Sequence, residues 1–372
     1  DWDQQWRPAR LWTVPVDGGA ARAASPESLN AADFEWSPDG RRFAVLTTRD
    51  SDPYEVFNFP SPRVLDAADG HVVATLVRKT ESFGTAYGEL HWTPDSKSLV
   101  MTGLNGGLSN VNALLVWDIA SGRVRDLAPG KDLTLDGLAL ANGGRDVVAC
   151  VKARSESHLL RFALAGGAPV DAGFSGRVIA GSLLADVAGR KLAFLSSTPR
   201  EPQEVTVFDL ASRRTDVATK LNPQAATWTL GETQVVRWKC PEGVELEGLL
   251  TRPPGSPAGA ATALMVLPHG GPDDVTQQGW SSQVQLFAAR GYAVFRPNYR
   301  GGTGYGFDFY AANRNRFGTI EQMDIESGVD ALIQRGLADP QRLFFGGWSW
   351  GGYLTAWTIG HVQRYKAAVV GA

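Results

Sequence analysis

Cysteine is scarce in this sequence. Only Cys150 and Cys240 occur among 372 residues, and neither stands in a C-x-x-C or Cys/His cluster. That excludes a disulfide framework and a thiolate metal site, and leaves two small buried side chains as the expectation. Histidine is nearly as rare. The five, at positions 71, 91, 158, 269 and 361, show no H-x-x-x-H or H-E-x-x-H spacing, so no metal centre is expected. No G-x-x-x-x-G-K-S/T loop exists, and the run Gly302-Thr303-Gly304-Tyr305-Gly306 lacks the following helix and acid of a dinucleotide fingerprint, so no cofactor is expected either. No stretch of 18 apolar residues is present, which excludes a helical membrane span. Neither sign of charge prevails: 36 Lys+Arg face 39 Asp+Glu, a formal net charge of −3. Nucleic acid or an anionic membrane would find no overall field to bind. The start, Asp1-Trp2-Asp3-Gln4, has neither an initiator Met nor a charged-then-apolar leader. Either a leader has been removed or the chain begins inside a longer one, and the compartment of what reads as a soluble protein, cytoplasmic or exported, stays open.

Glycine (42) and proline (21) are abundant, above their usual combined share of about 12%. With 43% hydrophobic residues, the chain reads as folded, in two or three domains, and rich in turns. A phrase recurs. Phe34-Glu35-Trp36-Ser37-Pro38-Asp39-Gly40, followed by Arg41 to Leu46, is a strand, a turn and a second strand, and it returns as Leu90 to Met101 around Thr93-Pro94-Asp95-Ser96. Weaker echoes run from Leu138 to Val148 and from Leu184 to Leu195. Between them lies a second alternating unit, at Leu114–Val124, Leu159–Gly167 and Val205–Thr215, with another near Leu11–Gly19. Two hairpins per period of roughly 45–55 residues describe one four-stranded blade of a β-propeller. Four to five blades are counted over residues 1–231, fewer than most large propellers have; others are missing or too degenerate to see. The repeated Trp36, Trp92 and Trp117 are expected to pack inside the blades rather than to stack on sugars.

The period changes near Gly231. A hairpin over Thr233–Thr251 leads into short apolar strands (Ala263–Leu267, Tyr292–Arg296, Arg342–Phe345, Ala367–Val370) that alternate with helices (Val284–Arg290, Ile320–Arg335, Gly351 to about His361). Met323, Val329, Leu332 and Ile333 form the expected apolar face of the middle helix. Residues 232–372 therefore read as a separate domain, a mostly parallel sheet with helices on both faces.

Gly347-Trp348-Ser349-Trp350-Gly351 fits G-x-S-x-G between an apolar strand and a helix. A serine on that turn presents its Oγ clear of the sheet, flanked by glycines that admit neighbouring backbone. Ser349 is the expected nucleophile, and the amide of Trp350, at the new helix's N-terminus, is the expected oxyanion donor. His269-Gly270-Gly271-Pro272, after an earlier strand, is the expected other wall of the oxyanion site, with His269 in the wall rather than acting as base.

His269-Gly-Gly-Pro272, Asn298-Tyr-Arg-Gly-Gly-Thr-Gly-Tyr-Gly306 and Gly347-Trp-Ser-Trp-Gly-Gly-Tyr353, in that order behind the repeats, resemble the prolyl oligopeptidase family of serine peptidases, most closely its acylaminoacyl-peptidase and oligopeptidase branch. The resemblance implies that residues 232–372 are the first part of an α/β-hydrolase domain, in a Ser–Asp–His peptidase acting on short peptides in a pocket between propeller and hydrolase sheet. It implies that Arg300 and Tyr305 position the glycine-rich loop, and it marks Arg300, Tyr305, Trp348 and Tyr353 as substrate-pocket candidates. One departure stands out. In this fold the acid and the base follow the serine. After Ser349 the sequence has no Asp or Glu, and its one histidine, His361, lies about 18 Å along the same helix. Three explanations fit: a longer peptidase of which this is a part, a second chain that supplies Asp and His, or a non-catalytic propeller interaction protein. An esterase on the same scaffold is the alternative enzyme.

Overall fold

The computed structural model describes residues 7–48, 51, 60–76, 87–104, 112–181, 183–257 and 259–372. The Asp1–Gln4 start discussed above lies outside them. Each of the first three recurring phrases, with the strands that follow it, folds into one antiparallel sheet of four strands in sequence order, and the fourth folds into a sheet of five. The first sheet comprises Asn30–Trp36, Arg42–Thr48, Ser61–Asp66 and Val72–Thr75; the second, Tyr87–Trp92, Ser98–Leu104, Asn112–Asp118 and Val124–Asp126. The third comprises Leu135–Ala141, Asp146–Ala153, Glu156–Ala163 and Val170–Asp171. The fourth is built on Lys191–Thr198, Glu201–Asp209 and Thr215–Val217, with the short Val178–Ile179 and Leu184–Ala185 both pairing on Lys191–Thr198. A two-stranded ribbon, Trp12–Thr13 with Arg22–Ala23, precedes them.

The turn chemistry explains the repetition. Ser37 donates its hydroxyl to Asp39 (2.6 Å) and accepts the amide of Arg42, while Gly40 takes φ 71°. Thr93 and Asp95 repeat the arrangement at 2.7 Å, with Ser96 at φ 58°. The hydroxyl of Ser37, and then the amide of Arg41, hold the Asp39 carboxyl below its usual range. Neighbouring sheets share cores. Ala44, Leu46 and Val64 of the first pack with Trp92, Leu99 and Trp117 of the second; Val100 and Leu114 of the second pack with Leu138, Val147 and Phe162 of the third. Cys150 of the third packs with Phe174, Phe194 and Phe208, and burial pushes its thiol up to about 12. Carboxylates stitch the same joints: Glu35 accepts the amide of Trp92 (2.8 Å), and Glu89 that of Leu138 (2.7 Å).

Trp36 departs from expectation. Trp92 and Trp117 are buried, but Trp36 is 49% exposed. Among the described residues, the two-stranded ribbon stands beside it, and its ring lies over Phe43 (4.5 Å) at the edge of a cleft shared with Pro15, Arg22 and Arg41.

The last part of the chain forms β1 (Glu232–Lys239), β2 (Glu245–Arg252), β3 (Thr262–Val266), α1 (Ser282–Ala289), β4 (Ala293–Asn298), α2 (Phe307–Ala311), α3 (Thr319–Gln334), β5 (Ala338–Gly347), α4 (Trp350–His361) and β6 (Ala367–Val370). The strands lie in the order β1-β2-β4-β3-β5-β6. Neighbours from β4 to β6 are parallel, and the β1–β2 hairpin is added antiparallel at one edge. Leu246, Leu250, Leu264, Val266, Phe295 and Phe345 face the side covered by Ile325, Val329 and Leu332 of α3 and Leu354 of α4. By strand alternation, Leu249, Met265 and Val294 face the other side, and α1 packs across β2 and β4. On α3 the fully buried apolar residues are Ile320, Ile325, Val329 and Leu332; Met323 and Ile333 are only partly buried. The face is rotated from the expected one because Gly328 seats the helix on Trp238 and Phe295, where a Cβ would come within 2.9 Å. A helix, α2, does follow the 302–306 glycine run, contrary to expectation. It is five residues long, and the amides leading to it already have acceptors: Thr303 bonds Asp274 O, Gly304 bonds Thr134 Oγ1 and Phe307 bonds Asp132. Among the described residues, no helix is long and apolar enough to cross a membrane.

Candidate active site

The turn between β5 and α4 is shaped by glycines whose neighbours leave no room for a Cβ. One on Gly347 would fall 2.5 Å from the carbonyl carbon of Gly351, and one on Gly351 would fall 2.5 Å from the oxygen of Pro268. The chain turns within two residues, and Ser349 takes φ 55°, ψ −122°. A non-glycine residue held there stores about 1–3 kcal/mol of strain. Ser349 is exposed and caps α4 without using its side chain, so the hydroxyl is free of the helix it begins. The Trp350 amide is among the first-turn donors that an α-helix leaves without an internal acceptor, at its partially positive end.

The His269–Gly271 loop comes up beside this turn. A Cβ on Gly270 would lie 3.6 Å from Ser349 Cβ and 4.0 Å from its Oγ. Gly271, at φ 119°, could carry a side chain only by driving it into the amide of Asp273. His269 anchors the loop. Its ring stacks on Tyr299 (4.3 Å between centroids), Nδ1 lies 2.7 Å from Gly270 O and 3.1 Å from the Tyr299 hydroxyl, and Tyr299 donates to His269 O at 2.7 Å. Nε2 is buried with no hydrogen-bond partner. Burial holds the imidazole below its ordinary value of 6.5 and drives the Tyr299 hydroxyl well above 10, so both are neutral at pH 7.

Arg300 and Tyr305 sit apart from the exposed serine, in a buried network. Arg300 is 5% exposed and grips Asp324 with its amide (2.9 Å), Nε (2.9 Å) and Nη2 (2.6 Å), while Nη1 meets Glu242. Tyr305 stacks on Phe309, accepts from Asn298 (2.9 Å) and donates to Glu247 (3.1 Å). Asp324, Glu242 and Glu247 carry this network, and sequence reasoning missed them. Asp324 had a readable signal: it stands four residues from both Ile320 and Gly328, an acid on the buried stripe of α3. Glu247 had none beyond alternating with Leu249 on β2.

Trp348 is 70% exposed next to Ser349, and Tyr353 is 37% exposed one helical turn on. Trp350 links Phe317 (5.1 Å) to Tyr353 (4.7 Å), giving an aromatic rim along the start of α4. His361 ends α4, its ring stacked on Trp357 and Nδ1 2.7 Å from Trp357 O, as helix arithmetic requires. Among the described residues, one trio, Asp66, Asp69 and His71 in a turn of the first sheet, brings three ligand-type atoms within 4.8 Å, with Asp69 already hydrogen-bonded to His71 (2.6 Å).

With this geometry in hand, comparison with known proteins places the last quarter of the chain. Residues 278–372, from the loop before α1 through the serine turn to β6, match the pattern of the Prolyl oligopeptidase family. This quarter of the chain is similar to that family. The uncharacterized peptidase YuxL of Bacillus subtilis is 31% identical over 172 residues, 46% of this chain and 26% of that protein. The acylamino-acid-releasing enzyme of Sus scrofa is 32% identical over 129 residues, 34% of this chain and 18% of that enzyme. The fold extends further than the close sequence match: a puromycin hydrolase in complex with PGG superimposes with a TM-score of 0.76 at 23% identity, covering 94% of this chain and 54% of that one. The chain thus spans between about a fifth and about half of the length of these prolyl oligopeptidase relatives.

Proposed function

We propose that residues 1–231 are blades of a β-propeller and residues 232–372 the nucleophile-bearing part of an α/β-hydrolase, together forming a serine peptidase that cleaves short peptides through an acyl-enzyme on Ser349. The strained, exposed position of Ser349, between the bare backbone of Gly270 and the N-terminus of α4, carries this reading. Ser349 Oγ attacks the scissile carbonyl carbon and its proton passes to a general base. The carbonyl electrons collect on the oxygen, which faces the Trp350 amide and the Gly270–Gly271 loop. Collapse expels the amine, which takes the proton from the base, and water releases the acyl group by the same steps. His269 serves this scheme as a wall: its Nε2 is sealed and its Nδ1 engaged. The Trp348–Tyr353 rim borders the pocket, while Arg300 and Tyr305 hold the glycine-rich loop in place.

The test is turnover of short peptidyl p-nitroanilides and of p-nitrophenyl esters by the longest native form, with and without Ser349→Ala. Anilide cleavage that falls about a thousandfold or more in the variant is expected. Ester cleavage alone would make the protein an esterase, and activity indifferent to Ser349→Ala would remove the nucleophile assignment.

A further inference from the structure

Glu247 lies on β2 with its side chain 1% exposed, yet no step of the proposed reaction uses it. Its carboxylate is met from three directions. From the third antiparallel sheet, Arg154 Nη1 (3.2 Å) and the Ser155 amide (3.3 Å) reach it from a turn; from β1 comes Arg237 Nε (3.2 Å); from the glycine-rich loop comes the Tyr305 hydroxyl (3.1 Å). The same turn touches that loop directly: the Arg154 amide donates to Gly304 O (2.8 Å), and the Arg154 guanidinium lies over the Tyr305 ring (5.6 Å). Tyr305 is in turn held by Asn298, whose amide also exchanges hydrogen bonds with Thr276 N (2.8 Å) and Thr276 O (3.1 Å). The next residue, Tyr299, stacks on His269, and Gly270 beside it abuts Ser349. Burial works to raise the Glu247 carboxyl, but the donors from Arg154 and Tyr305 outweigh it and the group is held ionised. An ionised carboxylate buried at a junction is kept only where its partners hold fixed positions.

We infer that Glu247 is a positioning residue: it locks the Arg154–Ser155 turn of the third antiparallel sheet onto Gly304–Tyr305, and through Asn298 and Tyr299 it sets the His269–Gly271 loop against Ser349. The inference rests on the proposed role of that loop in the reaction. Displacement of the loop by a fraction of an ångström would impair stabilisation of the transition state more than binding of the peptide.

The test compares Glu247→Gln with the parent in the active full-length form. Gln keeps an acceptor for Ser155 and Tyr305 but loses the charge that holds Arg154. The expected result is a kcat about tenfold lower with KM within about twofold. By hydrogen-exchange mass spectrometry, segments 268–272 and 299–306 should exchange faster while the strands of the antiparallel sheets keep their protection. Arg154→Gln, which leaves the carboxylate three of its donors, should show the same local change to a smaller extent, and serves if Glu247→Gln fails to fold. Parent-like kcat and exchange would overturn the inference, as would faster exchange throughout the molecule, which is the mark of a merely structural role. If Ser349→Ala retains full turnover, the nucleophile assignment falls instead, and exchange in segment 268–272 alone decides the role of Glu247.

Discussion

Gly270 and Ser349 meet with only a missing methyl between them: a Cβ on the glycine would stand 3.6 Å from the serine Cβ and 4.0 Å from its Oγ. The loop after β3 thereby offers bare backbone to the space above the hydroxyl, where a substrate oxygen would gather charge. Gly270→Ala should cost activity and little else. The nearest contact of the new methyl is 3.4 Å, ordinary packing, and the residue does not occupy the left-handed region. The expectation is a reaction of Ser349 with a fluorophosphonate about a hundred- to a thousandfold slower, in keeping with loss of one oxyanion contact, and a melting temperature within about 2 °C of the parent. An unchanged labelling rate would separate the loop from the chemistry.

Gly351 behaves oppositely. A methyl there would lie 2.5 Å from Pro268 O, a backbone atom on a loop anchored by His269 and Tyr299. Gly351→Ala should destabilise the fold by about 1–3 kcal/mol in urea unfolding. Gly360, near the end of the same helix, has nothing within 4 Å, and Gly360→Ala should stabilise by about 0.5 kcal/mol. Equal effects at the two sites would show that the close approach of α4 to the loop is not a constraint on folding.

These glycines also show what the sequence could and could not disclose. Local chemistry was legible: the Ser37–Asp39 and Thr93–Asp95 turns, the strands beside them, and the G-x-S-x-G junction all rest on neighbours a few residues apart. Long-range partners were not. Nothing near Arg300 announces that its donors are taken by Asp324 and Glu242, because those pairs join a loop, a helix and a hairpin far apart in the chain. Trp36 misled for a related reason: its strand position matches that of Trp92, but burial depends on the neighbouring sheet, and among the described residues a two-stranded ribbon lies there.

The Arg300–Asp324 pair yields a stability prediction with a built-in control. Both side chains are almost completely buried, and the guanidinium holds both carboxylate oxygens. Arg300→Ala leaves Asp324 charged and uncompensated, at an expected cost of about 3–5 kcal/mol in urea unfolding. Removing Asp324 as well deletes the orphaned charge, so the double variant should lose clearly less than the sum of the two single losses. Strict additivity would show that the two groups do not depend on each other.

Glu321 supplies the pH dependence. It is fully buried on α3; one carboxylate oxygen accepts from Asn313 (3.0 Å) and the other has no hydrogen-bond partner. Burial lifts the carboxyl above its ordinary value of 4.5. In the unfolded chain the group ionises near that ordinary value, whereas the folded protein keeps the proton to higher pH. Between the two values the folded state therefore binds the extra proton, and stability falls as the pH rises through that window; above the folded value the whole cost is present. Glu321→Gln keeps the bond from Asn313 and removes the titration. The variant should match the parent near pH 4 and exceed it in stability at pH 8, measured by urea unfolding at both. Glu89 and Glu326 are raised by burial as well but titrate alike in parent and variant, whereas the charge of Asp324 adds to the rise at Glu321, so the difference between the two curves reports Glu321 together with its coupling to Asp324. A gap independent of pH would mean that the buried carboxyl carries no charge over this range, and a variant less stable at pH 8 than the parent would mean that the charge is stabilised where it lies.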